Sequence, residues 1–256
     1  MNITLLLNRD LGSHLALSYL CKELAGHKVS LFMSEKVGSD YLLPPALLEL
    51  ALFEKTCLDD GRPSFHDLAQ RLNCHVADFI DLDNNLKSPE ALSRVAATEP
   101  DLILSIRFGL ILPQTIIDLP RHGVINLHSG LLPAYRGVMA TFRAMLNADV
   151  LIGSTLHFIT DPSIDRGAII ATTSVPLRSN LSYTYNVLSL YSEGCTEIGN
   201  VVRQLTLNQT LRAEISDGKG HYYSFPENQE VQKFFSLEYR FFDTSEIILI
   251  NKMYGY

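Results

Sequence analysis

The run Gly123-Val124-Ile125-Asn126-Leu127-His128-Ser129-Gly130-Leu131-Leu132-Pro133-Ala134-Tyr135-Arg136-Gly137 holds the residue types best suited to chemistry. Residues 124–127 read as a short strand, and side chains two apart on a strand share a face. Asn126 and His128 then converge on one small volume. An amide N–H and a donating imidazole aimed at one point suit a carbonyl oxygen that gains charge in a transition state. That is the signature of acyl-group chemistry. Farther along, Thr160-Asp161-Pro162-Ser163-Ile164-Asp165-Arg166-Gly167 supplies two carboxylates at the end of another strand. Either acid could raise the basicity of His128 or take a proton from an amine through a water.

Positioning these groups is the task of alternating elements. Residues 3–7, 28–33, 101–106, 124–127, 155–159 and 168–173 read as strands, and residues 13–24, 44–55 and 64–72 as helices. Ser88-Pro89-Glu90 opens a further helix, with Ser at the N-cap and Pro at the first helical position. Such alternation implies an α/β fold, an open and mostly parallel sheet with helices on both faces. Ligands gather at the carboxyl ends of such strands. The Asn126/His128 pair, residues 107–113 and residues 160–167 are all expected at such ends, in one crevice. Residues 183–203 read as one long closing helix. Beyond residue 208 come short extended pieces over 212–225, a helix over 229–235, and a tail over 241–256 too small for its own core. The expected division is a catalytic domain over 1–207 and a short C-terminal extension over 208–256.

Composition narrows the function classes. With 46% hydrophobic and 19% charged residues, the chain of 256 residues can bury a substantial core. A net charge of −7 without a basic cluster argues against a nucleic-acid partner. No apolar run approaches the length of about 20 residues that a bilayer span needs. Residues 1–8 read as a buried strand, not a signal peptide. Cys21, Cys57, Cys74 and Cys195 are scattered, which fits reduced thiols and a cytoplasmic location. His128 and His157 match no helical or hairpin ligand spacing, so no metal is expected. Phe241 to Tyr256 is apolar and aromatic, a candidate homodimer interface.

Asn126-Leu127-His128-Ser129-Gly130-Leu131-Leu132-Pro133-Ala134-Tyr135-Arg136-Gly137, followed by Thr155-Leu156-His157 and Asp165-Arg166-Gly167, resembles the formyltransferase family that uses 10-formyltetrahydrofolate. The resemblance covers residues 100–175 well and the N-terminal half loosely. It implies a Rossmann-like fold, 10-formyltetrahydrofolate as co-substrate, and a catalytic trio of Asn126, His128 and Asp165. It also implies that Phe108, Gly109, Leu110 and Leu112 carry the pterin ring, with the Asp161 loop on its other side. That loop is one residue longer than the family pattern, so the contacts of residues 160–164 stay open. His157 could brace the site or be structural. Near the N-terminus, the nucleotide-substrate branch holds a phosphate on a helix start, which makes Gly12 and Ser13 candidate anion donors here. Asp10 stands where that branch has glycine, so a plain strand-to-helix turn is the competing reading. Arg136 is a further candidate substrate contact.

The resemblance implies an N-formyltransferase acting on a primary amine of a small metabolite, with an aminosugar nucleotide as one acceptor class. Formylation of initiator tRNA is an alternative. That branch carries a basic C-terminal barrel, and the residues after Asn208 are neither numerous nor basic. Formyltetrahydrofolate hydrolysis and a non-catalytic folate-binding protein complete the alternatives. The acceptor-selecting segments are expected at residues 34–60 and 218–226, where Tyr222, Tyr223 and Phe225 either stack on an acceptor or pack the tail onto the sheet.

Overall fold

The computed structural model describes residues 1–35, 43–216 and 220–255. Residues 36–42 and the Gly218-Lys219 pair, both within the expected acceptor-selecting segments, lie outside them. The strands are β1 (Asn2–Asn8), β2 (Lys28–Ser34), β3 (Val76–Asp78), β4 (Leu102–Ile106), β5 (Val124–His128), β6 (Tyr135–Gly137), β7 (Leu151–Ile159), β8 (Ile169–Pro176) and β9 (His221–Tyr223). The helices are α1 (Leu11–Glu23), α2 (Pro45–Asp59), α3 (Phe65–Arg71), α4 (Pro89–Ala96), α5 (Gln114–Ile117), α6 (Ala140–Leu146), α7 (Tyr183–Leu188), α8 (Tyr191–Thr206), α9 (Asn228–Ser236) and α10 (Ile247–Met253). No helix of the described residues is long and apolar enough to cross a membrane.

Seven strands form one sheet in the order β3-β2-β1-β4-β5-β7-β8. The first five are parallel, while β7 runs antiparallel to both β5 and β8. Alternation along β1 shows why the sheet is buried on both sides. Ile3, Leu5 and Leu7 join one apolar layer and Leu6 joins the other. The first layer includes α1 and α8, and the second includes Ala91 and Val95 of α4 with Ile116 and Ile117 of α5. Local signals set the helix starts. Ser88 accepts from the Ala91 N–H, and Ser64 and Asp67 close a capping box at α3.

One expectation changes. The helix expected over 183–203 is two helices, α7 and α8, separated at Ser189 and Leu190. Neither Gly nor Pro marks the break. Asn186, fully buried, donates to the carbonyls of Arg178, Leu181 and Ser182 and so fixes α7 in its own orientation. The C-terminal segment shares the main core, because Val231, Phe234, Phe241 and Ile250 lie in the same apolar cluster as Leu5 and Leu17. Strand β9 also pairs in parallel with β6. Tyr223 packs against Tyr135 and beneath the Arg143 guanidinium, whereas Tyr222 stays 55% exposed.

Phe234 is completely buried, with ring centroids 4.8 Å from Phe142 and 5.0 Å from Phe241. Phe234→Ala should therefore cost about 3–5 kcal/mol. Urea unfolding should show one cooperative transition moved to lower denaturant. A separate early transition, with the main one unmoved, would mean that the C-terminal segment folds apart from the sheet.

Candidate active site

Asn126 and His128 lie on β5 directly opposite His157 and Thr155 of β7, so the four side chains share one face. The Asn126 amide nitrogen is 3.1 Å from His157 Nε2. His157 Nδ1–H donates to its neighbour's carbonyl, Phe158 O, at 2.9 Å. With that proton fixed, Nε2 accepts the Asn126 N–H when the ring is neutral. When the ring is charged, Nε2 donates to Asp165 Oδ1, 3.4 Å away. His128 Nε2–H donates to Tyr135 O at 2.6 Å, and its Nδ1 faces Asp165 Oδ2 at 3.6 Å. Both imidazoles therefore meet one carboxylate. The second Asn126 N–H has no partner among the described residues.

The expectation that β7 ends at the same edge as β4 and β5 does not hold. β7 is antiparallel, so Ile159 at its end pairs with Val124 at the start of β5. Asp165 reaches the imidazoles because the loop folds back over β7. There the Phe158 N–H donates to Ala168 O at 2.9 Å. Gly167 makes this fold possible, since a Cβ there would lie 1.7 Å from Phe158 O. Asp165 itself has φ +54°, a left-handed conformation that Asp tolerates better than most residues. A second glycine serves the same carboxylate. The Gly137 N–H donates to Asp165 Oδ2 at 2.8 Å, with φ +94° and a Cβ position 2.1 Å from Tyr223 O. The Thr155 hydroxyl donates to Gly130 O and accepts from the Leu132 N–H, pinning the turn between the two halves of the site.

Burial pushes the Asp165 carboxyl up. The His128 charge, the His157 hydrogen bond and charge, and the Gly137 N–H outweigh it and hold the group down at about 2. Its unfolded value is about 3.9. A lowered folded pKa means stability that is present above about pH 4 and lost as pH falls through about 2, because the unfolded state binds the proton first. Unfolding of wild type and Asp165→Asn compared from pH 7 to pH 2.5 should show the gap between them closing below pH 4. A gap constant with pH would show that the carboxylate is not engaged.

The other candidates divide. Asp161 is exposed and accepts the Ser163 N–H at 2.7 Å in a turn, so it is Asp165 that meets the imidazoles. Phe108 and Leu110 are half-buried after β4, on the flank of β5 away from β7. Leu112, 5% exposed, belongs to the core. The Gly109 N–H donates to Ser34 Oγ at 2.9 Å.

Gly12 and Ser13 lie in the first turn of α1, where a Cβ on Gly12 would meet the Arg107 side chain and the Tyr191 hydroxyl. Asp10 caps α1 by accepting the Ser13 N–H and pairs with Arg107 Nε, both at 2.8 Å. Asn8 N–H donates to Ser13 Oγ, and Glu54 bonds the Leu11 N–H. Carboxylates of the chain thus accept from the Leu11 and Ser13 N–H groups at the start of α1. Arg136 remains beside the site, with Nη2 donating to Gly220 O at 2.7 Å. His157, the residue that joins Asn126 to Asp165, is identified by the strand register, which sequence spacing does not give. Among the described residues no group of three or more His, Cys, Asp and Glu side chains is arranged to hold a metal ion.

Topology and site together define an α/β protein of Rossmann-like fold with an amide and two imidazoles on one strand pair and a carboxylate brought to them by the following loop. Residues 66–188 match the formyl transferase family. The matched segment is a little under half of the chain. It is 32% identical over 133 residues to a methionyl-tRNA formyltransferase of Syntrophomonas wolfei, a match covering 52% of this chain and 42% of that protein. The chain spans less than half the length of the methionyl-tRNA formyltransferases it matches. The fold is shared with glycinamide ribonucleotide transformylase 1 from Symbiobacterium toebii (TM-score 0.59, 17% identity, 84% of this chain and 93% of that one). It is also shared with an N-formyltransferase from Helicobacter canadensis in complex with folinic acid and dTDP-3-aminofucose (TM-score 0.55, 19% identity, 90% of this chain and 72% of that one).

Proposed function

We propose that the chain moves a formyl group from 10-formyltetrahydrofolate to a primary amine of a small metabolite. The observation that carries this reading is the meeting of Asn126, His128, His157 and Asp165 around one point. As the amine nitrogen attacks the formyl carbon, the C=O bond opens to an oxyanion. The free Asn126 N–H donates to that oxygen, and a His128 Nδ1–H can share it. Asp165, charged across the neutral range, takes the amine's proton directly or through a water and steadies the imidazolium forms. Collapse of the oxyanion then breaks the bond to the folate nitrogen, which takes up a proton. Phe108 and Leu110 are suited to the flat pterin ring, being half-buried and apolar beside β5.

Aminosugar nucleotides are the first acceptors to try, as the Helicobacter canadensis protein was solved with dTDP-3-aminofucose. A second reading, formylation of methionyl-tRNA, is favoured by the relatives that match in sequence. Incubation with 10-formyltetrahydrofolate and a panel of aminosugar nucleotides, amino acids and charged initiator tRNA, read by mass spectrometry, tests both. A formyl group gained by an amine supports transfer and identifies its class. Release of free formate as the sole product would replace transfer with hydrolysis, and no turnover of the donor would remove the reading.

A further inference from the structure

Beside the imidazole cluster a second feature stands out by its charge. A cleft of about 220 Å³ opens on the β8 flank, lined by Leu132, Pro133, Arg136, Asp165, Arg166 and Ile169 among others. Arg136 spends one Nη on the Gly220 carbonyl, and its Nε is buried with no hydrogen-bond partner. The Nε atoms of Arg62, Arg143 and Arg240 are in the same state, so what sets Arg136 apart is its place in the lining of this cleft. Arg166, exposed, lines the same cleft and forms no ion pair or hydrogen bond among the described residues. The nearest acid it influences is the exposed Asp161. Asp165 faces the same cleft, but its charge is already met by His128, His157 and the Gly137 N–H. Two guanidiniums are thus left without a carboxylate of their own in a chain whose net charge is −7. At the first turn of α1, by contrast, Arg107 has a carboxylate partner in Asp10.

We propose that this cleft is an anion subsite in which Arg136 and Arg166 bind a carboxylate or phosphate group next to the transfer centre. Guanidinium forks suit both anions, and Leu132, Pro133 and Ile169 give the stem of such a ligand an apolar wall. The anion has two sources, an anionic group of the acceptor or the glutamate tail of the folate. Arg136 and Arg166 act as binding residues. The subsite stands on the cleft alone, whereas its part in formyl transfer rests on the function proposed above.

Calorimetric titration of the full chain with inorganic phosphate and with malonate at low salt tests it without any turnover. Saturable, salt-sensitive binding is expected, weakened about tenfold or more in Arg136→Gln and in Arg166→Gln. Arg166→Gln changes only an exposed side chain, so it reads the subsite even if Arg136→Gln perturbs the Gly220 contact. Competition then assigns the source. Folic acid displacing phosphate where pteroic acid, which lacks the glutamate, does not would assign the cleft to the donor's tail. Displacement by neither would assign it to the acceptor. Failure of both anions to bind the wild type, or binding unchanged in both variants, would overturn the subsite. Anion binding of this kind in a chain that forms no formylated product would leave the subsite standing and remove the transfer reading.

Discussion

Asn126→Ala should lower turnover about 10²–10³-fold while the affinity for folate stays within a factor of about two. The amide donates one N–H to His157 and leaves the other for an oxygen that becomes charged only as the tetrahedral species forms. Loss of such a donor acts on kcat more than on KM. Asn126→Asp should be at least as harmful, because it puts an acceptor where a donor is required and adds a negative charge near Asp165. Single-turnover rates, with donor binding measured separately, check both variants. An alanine variant within a few-fold of wild type would show that the oxyanion, if one forms, is held elsewhere.

Asp165→Asn should cost about 10²–10⁴ in turnover, whereas Asp161→Asn should leave turnover within about threefold of wild type. The contrast follows from their surroundings. Asp165 lies 3.6 Å from His128 and 3.4 Å from His157, with its carboxyl held at about 2, while Asp161 closes an exposed turn. The amide in Asp165→Asn keeps an oxygen for the Gly137 N–H, so the loop has a partner even without the charge. Crippled Asp161→Asn beside active Asp165→Asn would reverse the assignment of the carboxylate.

The convergence of Asn126 and His128 was legible because strand periodicity is a local property, and both lie on five residues of β5. Strand direction is not local. An alternation of strands and helices says nothing of β7 reversing, so the route by which Asp165 arrives became clear only from the fold-back at Gly167. His157 was visible as a residue but not as a link, because its pairing with Asn126 depends on register across the sheet. Gly12 and Ser13 show the limit from the other side. A glycine and a serine at a helix start look like anion donors, and the sequence does not show that Arg107, 97 positions away, pairs with the Asp10 that caps them. The helix break at Ser189 follows from the buried Asn186, whose bonding carries no breaker signal in the sequence.

The seam between β6 and β9 has a practical consequence for recombining this protein with its relatives. The Gly137 N–H that holds the Asp165 carboxylate is backed by the Tyr223 carbonyl, which also accepts the Val138 N–H at 3.0 Å. A chimera that grafts a foreign segment after α8 would strip this backing and let the glycine and its carboxylate drift together. Grafts whose crossover falls after Pro226 would carry the seam intact.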